Sequence, residues 1–201
     1  MASRSTTLRI GLAALAALVP AVASAHPGID GAVGFAHGFA HPISGIDHVL
    51  AMVAVGIFAA NLGGRALEAV PLAFMGLMLV GGSFGMAGVP LPFVEVGIAL
   101  SIVVLGLAVA IRYEWPVAAA MALVGVFAAF HGHAHGTEMP VDASGAQYAI
   151  GFVTATGLLH LAGIGIGFGI GRSGERYSRR ITQAGGAALA CAGLLVLGGI
   201  V

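Results

Sequence analysis

Lysine is absent from this chain, charged residues of every kind make up only 8% of it, and cysteine occurs once, at Cys191. Each shortage closes off a class of function. Without lysine there is no Walker-type phosphate loop, and so no ATP hydrolysis by this chain. With a formal net charge of zero and no basic stripe, nucleic acid is not an expected partner. A single cysteine supports neither a disulfide framework nor a thiolate metal cage. No His-Glu-x-x-His is present, which argues against an intramembrane metallohydrolase. The one Gly-x-Gly-x-x-Gly match (Gly169, Gly171, Gly174) follows a helical pattern rather than a strand, so a dinucleotide site fails its context test. A soluble domain carries about 25% charged residues. This chain is instead 59% hydrophobic with a mean hydropathy of +1.03, and reads as an all-α integral membrane protein whose surroundings are the lipid bilayer.

Residues 1–25 read as a cleavable signal peptide. Arg4 and Arg9 supply the positive region, Ile10 to Val22 the apolar core, and Ala23-Ser24-Ala25 the small-residue cleavage site. That core is shorter than the roughly 20 residues of a membrane span. The remainder, 26–201, reads as one transport-sized membrane domain beginning at His26-Pro27. Six spans are expected, about 28–61, 66–87, 91–111, 115–134, 147–171 and 180–200, joined by short loops. Arg65, Arg112, Arg172, Arg176, Arg179 and Arg180 then share one side, which the positive-inside rule makes cytoplasmic. A multi-pass protein of the bacterial inner membrane follows, with both mature termini in the periplasm. Gly81 and Gly85, and Gly163, Gly167 and Gly171, repeat every four residues, the small-residue spacing that lets membrane helices approach closely.

The first span is too long to be straight, roughly 50 Å against a hydrocarbon core of about 30 Å. Pro42 biases His41 away from helical geometry, so a break is expected near residues 41–44. Ser44 is placed to cap the helix that follows, with Asp47 as the carboxylate of a capping box. Below this break stand Asp47 and His48, with His41 above them and Met52 one turn further down. Ionisable residues among apolar ones at membrane depth mark function by default, and broken membrane helices persist where they line a cavity. The alternative is a capping carboxylate beside a buried, hydrogen-bonded histidine.

A second cluster runs from Phe130 to Glu138, Phe-His-Gly-His-Ala-His-Gly-Thr-Glu. On a helix His131 and His135 share a face, Glu138 extends it, and His133 points elsewhere. Imidazole with carboxylate suits Ni, Co, Zn or Cu better than Mg or Ca, and residue identity does not separate the first four. The competing reading is a solvated, histidine-rich helix end. Glu95 is either an inlet carboxylate or an interfacial surface residue. His160, alone in mid-span, is expected to hydrogen-bond within the core. Met52, Met75, Met78, Met86 and Met121 are expected to pack. His26, if cleavage exposes it, offers an amine and an imidazole together. Counted along the helices, these histidines all lie in one half of the bilayer, as an inlet leading to a mid-membrane site requires.

The run His37-Gly-Phe-Ala-His41-Pro-Ile-Ser-Gly-Ile-Asp47-His48, followed by Met52, resembles the signature of the HupE/UreJ family of bacterial nickel permeases, and the Phe130–Glu138 run resembles that family's second motif. The resemblance covers essentially the whole chain. It implies transport of Ni²⁺ or Co²⁺ as substrate, with no prosthetic group and no enzymatic activity, for hydrogenase or urease maturation. It points to His41, Asp47 and His48 in the first motif and to His131, His135 and Glu138 in the second, with Glu95 as a further acidic position. The sequence-level alternative is a membrane-bound metal- or haem-binding accessory protein that transports nothing.

Overall fold

The structure, a computed structural model, describes residues 30–140 and 143–200, with side chains from residue 34 onward. The signal peptide expected at 1–25, and His26 with it, lie outside the described residues. The described residues form seven helices: α1 (Asp30–Ser44), α2 (Ile46–Leu62), α3 (Ala66–Met86), α4 (Val94–Ile111), α5 (Val117–Thr137), α6 (Gly145–Gly171) and α7 (Glu175–Leu197). The five helices from α3 to α7 are each long and apolar enough to cross a membrane. Helices α1 and α2 pass the same test only as a pair, bent by 81° at their junction. Apolar side chains such as Leu72, Val126, Ile150 and Leu161 are exposed around the bundle, as a lipid-facing surface requires. The chain is a multi-pass membrane protein.

The break lies elsewhere than Pro42 led us to expect. Helix α1 runs through His41 and Pro42 to Ser44, and only Gly45 leaves helical geometry, at φ −91° and ψ 120°. A proline in the last turn of a helix costs one hydrogen bond to the preceding turn, and packing against α6 holds that turn in place. The expected capping box is also absent. The Ser44 hydroxyl donates backward to the carbonyl of His41 at 2.7 Å, closing α1 rather than opening α2. The N-cap of α2 is Gly45, without a side-chain cap. Asp47 instead accepts from the backbone N–H of His48 at 2.8 Å.

Helix α3 packs along α5, α4 along α7, and α6 along both α1 and α2. Lipid gives no hydrophobic drive between spans, so close backbone contact and dispersion must hold them together. The interleaved glycines of the second histidine cluster provide it. A Cβ on Gly132 would strike the carbonyl of Met78, and one on Gly136 the carbonyl of Gly82. Gly56 and Gly163 face each other in the same way between α2 and α6. One stripe of α5 therefore carries glycines against α3, while the adjacent stripe aims His131 and His135 at α1 and α2. The arginine-bearing loops gather at the end far from Gly45, where Asn61, Arg112 and Arg172 line one cavity of about 490 Å³.

Candidate metal centre

The 81° bend at Gly45 turns α1 away from the line of α2, and the histidines on both sides of it reach those of α5. Four imidazoles meet there. His48 stands edge to face with His131 (ring centroids 4.9 Å apart) and with His135 (4.8 Å). His41 lies 4.9 Å from His135 and 6.4 Å from His48. His131 and His135 are 0% exposed, so the reading of a solvated helix end does not hold. Phe152 of α6 stacks on His135 at 5.1 Å and Phe74 of α3 tilts against His131 at 5.7 Å.

Hydrogen bonds fix which nitrogen carries the proton in three of the four rings. An ionised carboxylate only accepts. His48 Nδ1 lies 3.0 Å from Asp47 Oδ1 and therefore donates to it, leaving Nε2 as a lone-pair nitrogen that is buried and without a partner. His41 Nε2 lies 2.8 Å from Glu138 Oε2 and donates likewise, leaving Nδ1. The hydroxyl of Ser101 gives its hydrogen to the carbonyl of Ile98 at 2.6 Å, so at 2.9 Å it accepts from His131 Nε2. That leaves His131 Nδ1 as a buried, unpartnered lone-pair nitrogen. Both ring nitrogens of His135 are buried and unpartnered. Orienting a metal-binding imidazole through its other nitrogen is the usual outer-shell arrangement around metals, and it raises the basicity of the free nitrogen.

Asp47 and Glu138, expected as ligands, thus hold two of the histidines. Each keeps a second oxygen. Glu138 reaches His41 because it sits at the C-cap of α5, where the chain leaves the helix and the i+3 relation to His135 no longer directs the side chain. Among the described residues no three donors stand ready to hold an ion; the rings pack edge to face instead. Leaving several buried nitrogens unpaired costs about 1–3 kcal/mol each, a cost that a bound cation would offset.

Two cavities flank the cluster. One, about 450 Å³, is lined by Gly45, Asp47 and Glu95; the other, about 220 Å³, by His37, His41, Ser44 and Glu138. Glu95 and His37 are exposed and reach the site only as cavity walls. His133 turns away from the cluster, as its place between the two others implies, and pairs through Nε2 with the carbonyl of Val89 at 2.7 Å. His160 does not make the core hydrogen bond expected of it: both ring nitrogens are buried and unpartnered. Met52 and Met78 are fully buried in the core, whereas Met86 is exposed.

Sequence reasoning missed Ser101. Its one signal was a buried hydroxyl on α4, whose only other polar side chain is Glu95. Phe74 and Phe152 carried no signal beyond apolar periodicity.

The model of the family described as "HupE / UreJ protein" matches residues 13–196. The chain is similar to the protein named "Protein HupE" of Rhizobium leguminosarum bv. viciae, at 48% identity over 187 residues, covering 92% of this chain and 95% of that protein. No solved structure matches. Both histidine motifs and the helix break between His41 and Asp47 fall within the matched residues, and the chain belongs to the HupE/UreJ family.

Proposed function

We propose that this protein is a secondary permease that carries Ni²⁺, or Co²⁺, from the periplasm to the cytoplasm for hydrogenase or urease maturation. In this reading it has six spans, counting α1 and α2 as one, lies in the bacterial inner membrane, and keeps its mature termini outside. The observation that carries the reading is the oriented imidazole cluster: His41, His48 and His131 each spend one nitrogen on an outer partner and keep the other as a lone pair, beside a membrane-helix break that lines a cavity.

A hydrated divalent cation cannot cross hydrocarbon, so fixed donors must replace its water. Glu95 and Asp47 at one cavity, and His37 and Glu138 at the other, supply negative charge and an extra imidazole where the ion arrives. The lone pairs of His41, His48, His131 and His135 then replace water, aided by the second oxygens of Asp47 and Glu138. Rings packed edge to face must rotate to bind, and so do not trap the ion; conduction requires a site that also releases. The helix N-terminus at Gly45 repels a cation, and an Asp47 carboxylate in the first turn of α2 offsets that.

Uptake of ⁶³Ni²⁺ by cells tests the proposal. Asp47→Ala and His48→Ala are each expected to abolish uptake while the protein still reaches the membrane. Normal uptake by both variants overturns the site. Nickel binding without flux in proteoliposomes identifies an accessory binding protein instead. Competition by excess Co²⁺, Zn²⁺, Cu²⁺ and Mg²⁺ in the same assay ranks the cations.

A further inference from the structure

His160 lies outside the oriented cluster, on α6, roughly 16 Å along the helix from Gly171. His131, by the same measure, sits only about 9 Å from the end of α5 at the opposite side of the bundle. Among the described residues, His160 is therefore the histidine farthest along its helix from the end where the outer cluster sits. It is 1% exposed, and neither ring nitrogen has a hydrogen-bond partner. A neutral imidazole always presents one N–H and one lone pair, and a buried polar group with neither satisfied requires an explanation. Packing does not supply one. The flanking residues Leu158, Leu159 and Leu161 show that apolar side chains suit this helix, and a leucine at 160 would fill space without burying two orphaned nitrogens.

The surroundings point to a soft or borderline cation. Phe74 and Met78 lie one turn apart on α3, as do Thr156 and His160 on α6. The Phe74 ring stands perpendicular to His160 at 5.3 Å and tilts against His131 at 5.7 Å. Met78 receives the Thr156 hydroxyl on its sulfur at 3.9 Å. All four side chains are buried. Thr156 and His160 are spaced to share a face of α6, the Met78 sulfur lies against Thr156, and the Phe74 ring contacts both His160 and His131 of the outer cluster. Thioether and imidazole together favour late first-row transition metals over Mg²⁺ or Ca²⁺.

We propose that His160 is an inner metal-binding station, with Met78 and Thr156 beside it, that takes the cation from His48 and His131 once Phe74 swings aside. This rests on the permease reading and extends it: the path has two stations, and Phe74 is the partition between them.

The test uses the purified full chain and two readouts. Cys191 is the only native cysteine, so a Cys191→Ala parent is free of thiols. Placed in that parent, His160→Cys is expected to give a thiolate-to-metal charge-transfer band on adding Co²⁺, which the parent lacks. In proteoliposomes, His160→Ala is expected to lower ⁶³Ni²⁺ flux at least tenfold while nickel affinity at the outer cluster stays within twofold. Parental flux in His160→Ala overturns the inner station and leaves the permease reading standing. Flux lost without a band from His160→Cys also overturns it, since the histidine then serves packing alone. If the unmodified protein moves no nickel, the permease reading fails by itself. The Co²⁺ band then still decides whether position 160 is a metal site: its presence supports one, and its absence removes it.

Discussion

The Ser101 hydroxyl, its own hydrogen committed to the carbonyl of Ile98, accepts the Nε2 proton of His131 across the α4–α5 interface at 2.9 Å. One small side chain, on a helix whose only other polar residue is Glu95, thereby decides which nitrogen of a buried imidazole keeps its lone pair. The same logic pairs Asp47 with His48 and Glu138 with His41, so three different helices each receive an orienting partner.

Ser101→Ala leaves His131 in place but free to adopt the other tautomer. Loss of an outer-shell partner typically costs 10–100-fold in metal affinity or activity. Nickel uptake at low substrate is expected to fall by about that factor, with membrane levels unchanged. Direct nickel titration of purified protein checks the affinity; wild-type affinity in Ser101→Ala removes the orienting role.

Gly45 is needed for what it lacks, not for its backbone angles, which any residue adopts. A Cβ there would come within 2.7 Å of Asp47 Oδ1 and 3.2 Å of His48 Nδ1. Gly45→Ala is expected to push the Asp47–His48 pair out of register and cut uptake at least about tenfold, with a stability loss near the low end of the roughly 1–3 kcal/mol that overpacking costs. Uptake together with thermal unfolding in detergent separates the two effects.

Two glycines offer a contrast, Gly132 at the α3–α5 contact and Gly165 on α6. Gly132→Ala puts a methyl onto the Met78 carbonyl, whereas a Cβ at Gly165 meets nothing within 4 Å. The first substitution is expected to destabilise by about 1–3 kcal/mol, the second to stabilise slightly, since alanine exceeds glycine in helix propensity by up to about 1 kcal/mol. Melting temperatures of the two variants should move in opposite directions.

Glu138 is 52% exposed at its side chain, and exposed ion pairs contribute only about 0–1 kcal/mol. Glu138→Ala is therefore expected to leave the unfolding temperature nearly unchanged while lowering nickel uptake, because His41 loses the partner that holds its Nε2 proton and orients the ring. A large thermal shift would mean that Glu138 holds the fold instead.

The membrane class, the helical segments and most of the histidines and carboxylates that the fold brings together follow from the sequence alone. Hydropathy, glycine spacing and the i, i+4 relation of His131 to His135 are properties of a few consecutive turns, and the chain carries them before it folds. The position of the helix break was legible only approximately. Pro42 is the stronger breaker by propensity, yet contact with α6 keeps α1 helical through it and moves the bend to Gly45. The hydrogen-bond partners of the carboxylates and of Ser101, and the burial of His160 against Phe74, were decided by tertiary structure. A hydrogen-bond partner on another helix is set by how closely backbones approach. Glycines such as Gly56, Gly132 and Gly163 fix that distance between helices far apart in the chain, so the tautomer of His131 depends on a serine that no local pattern connects to it.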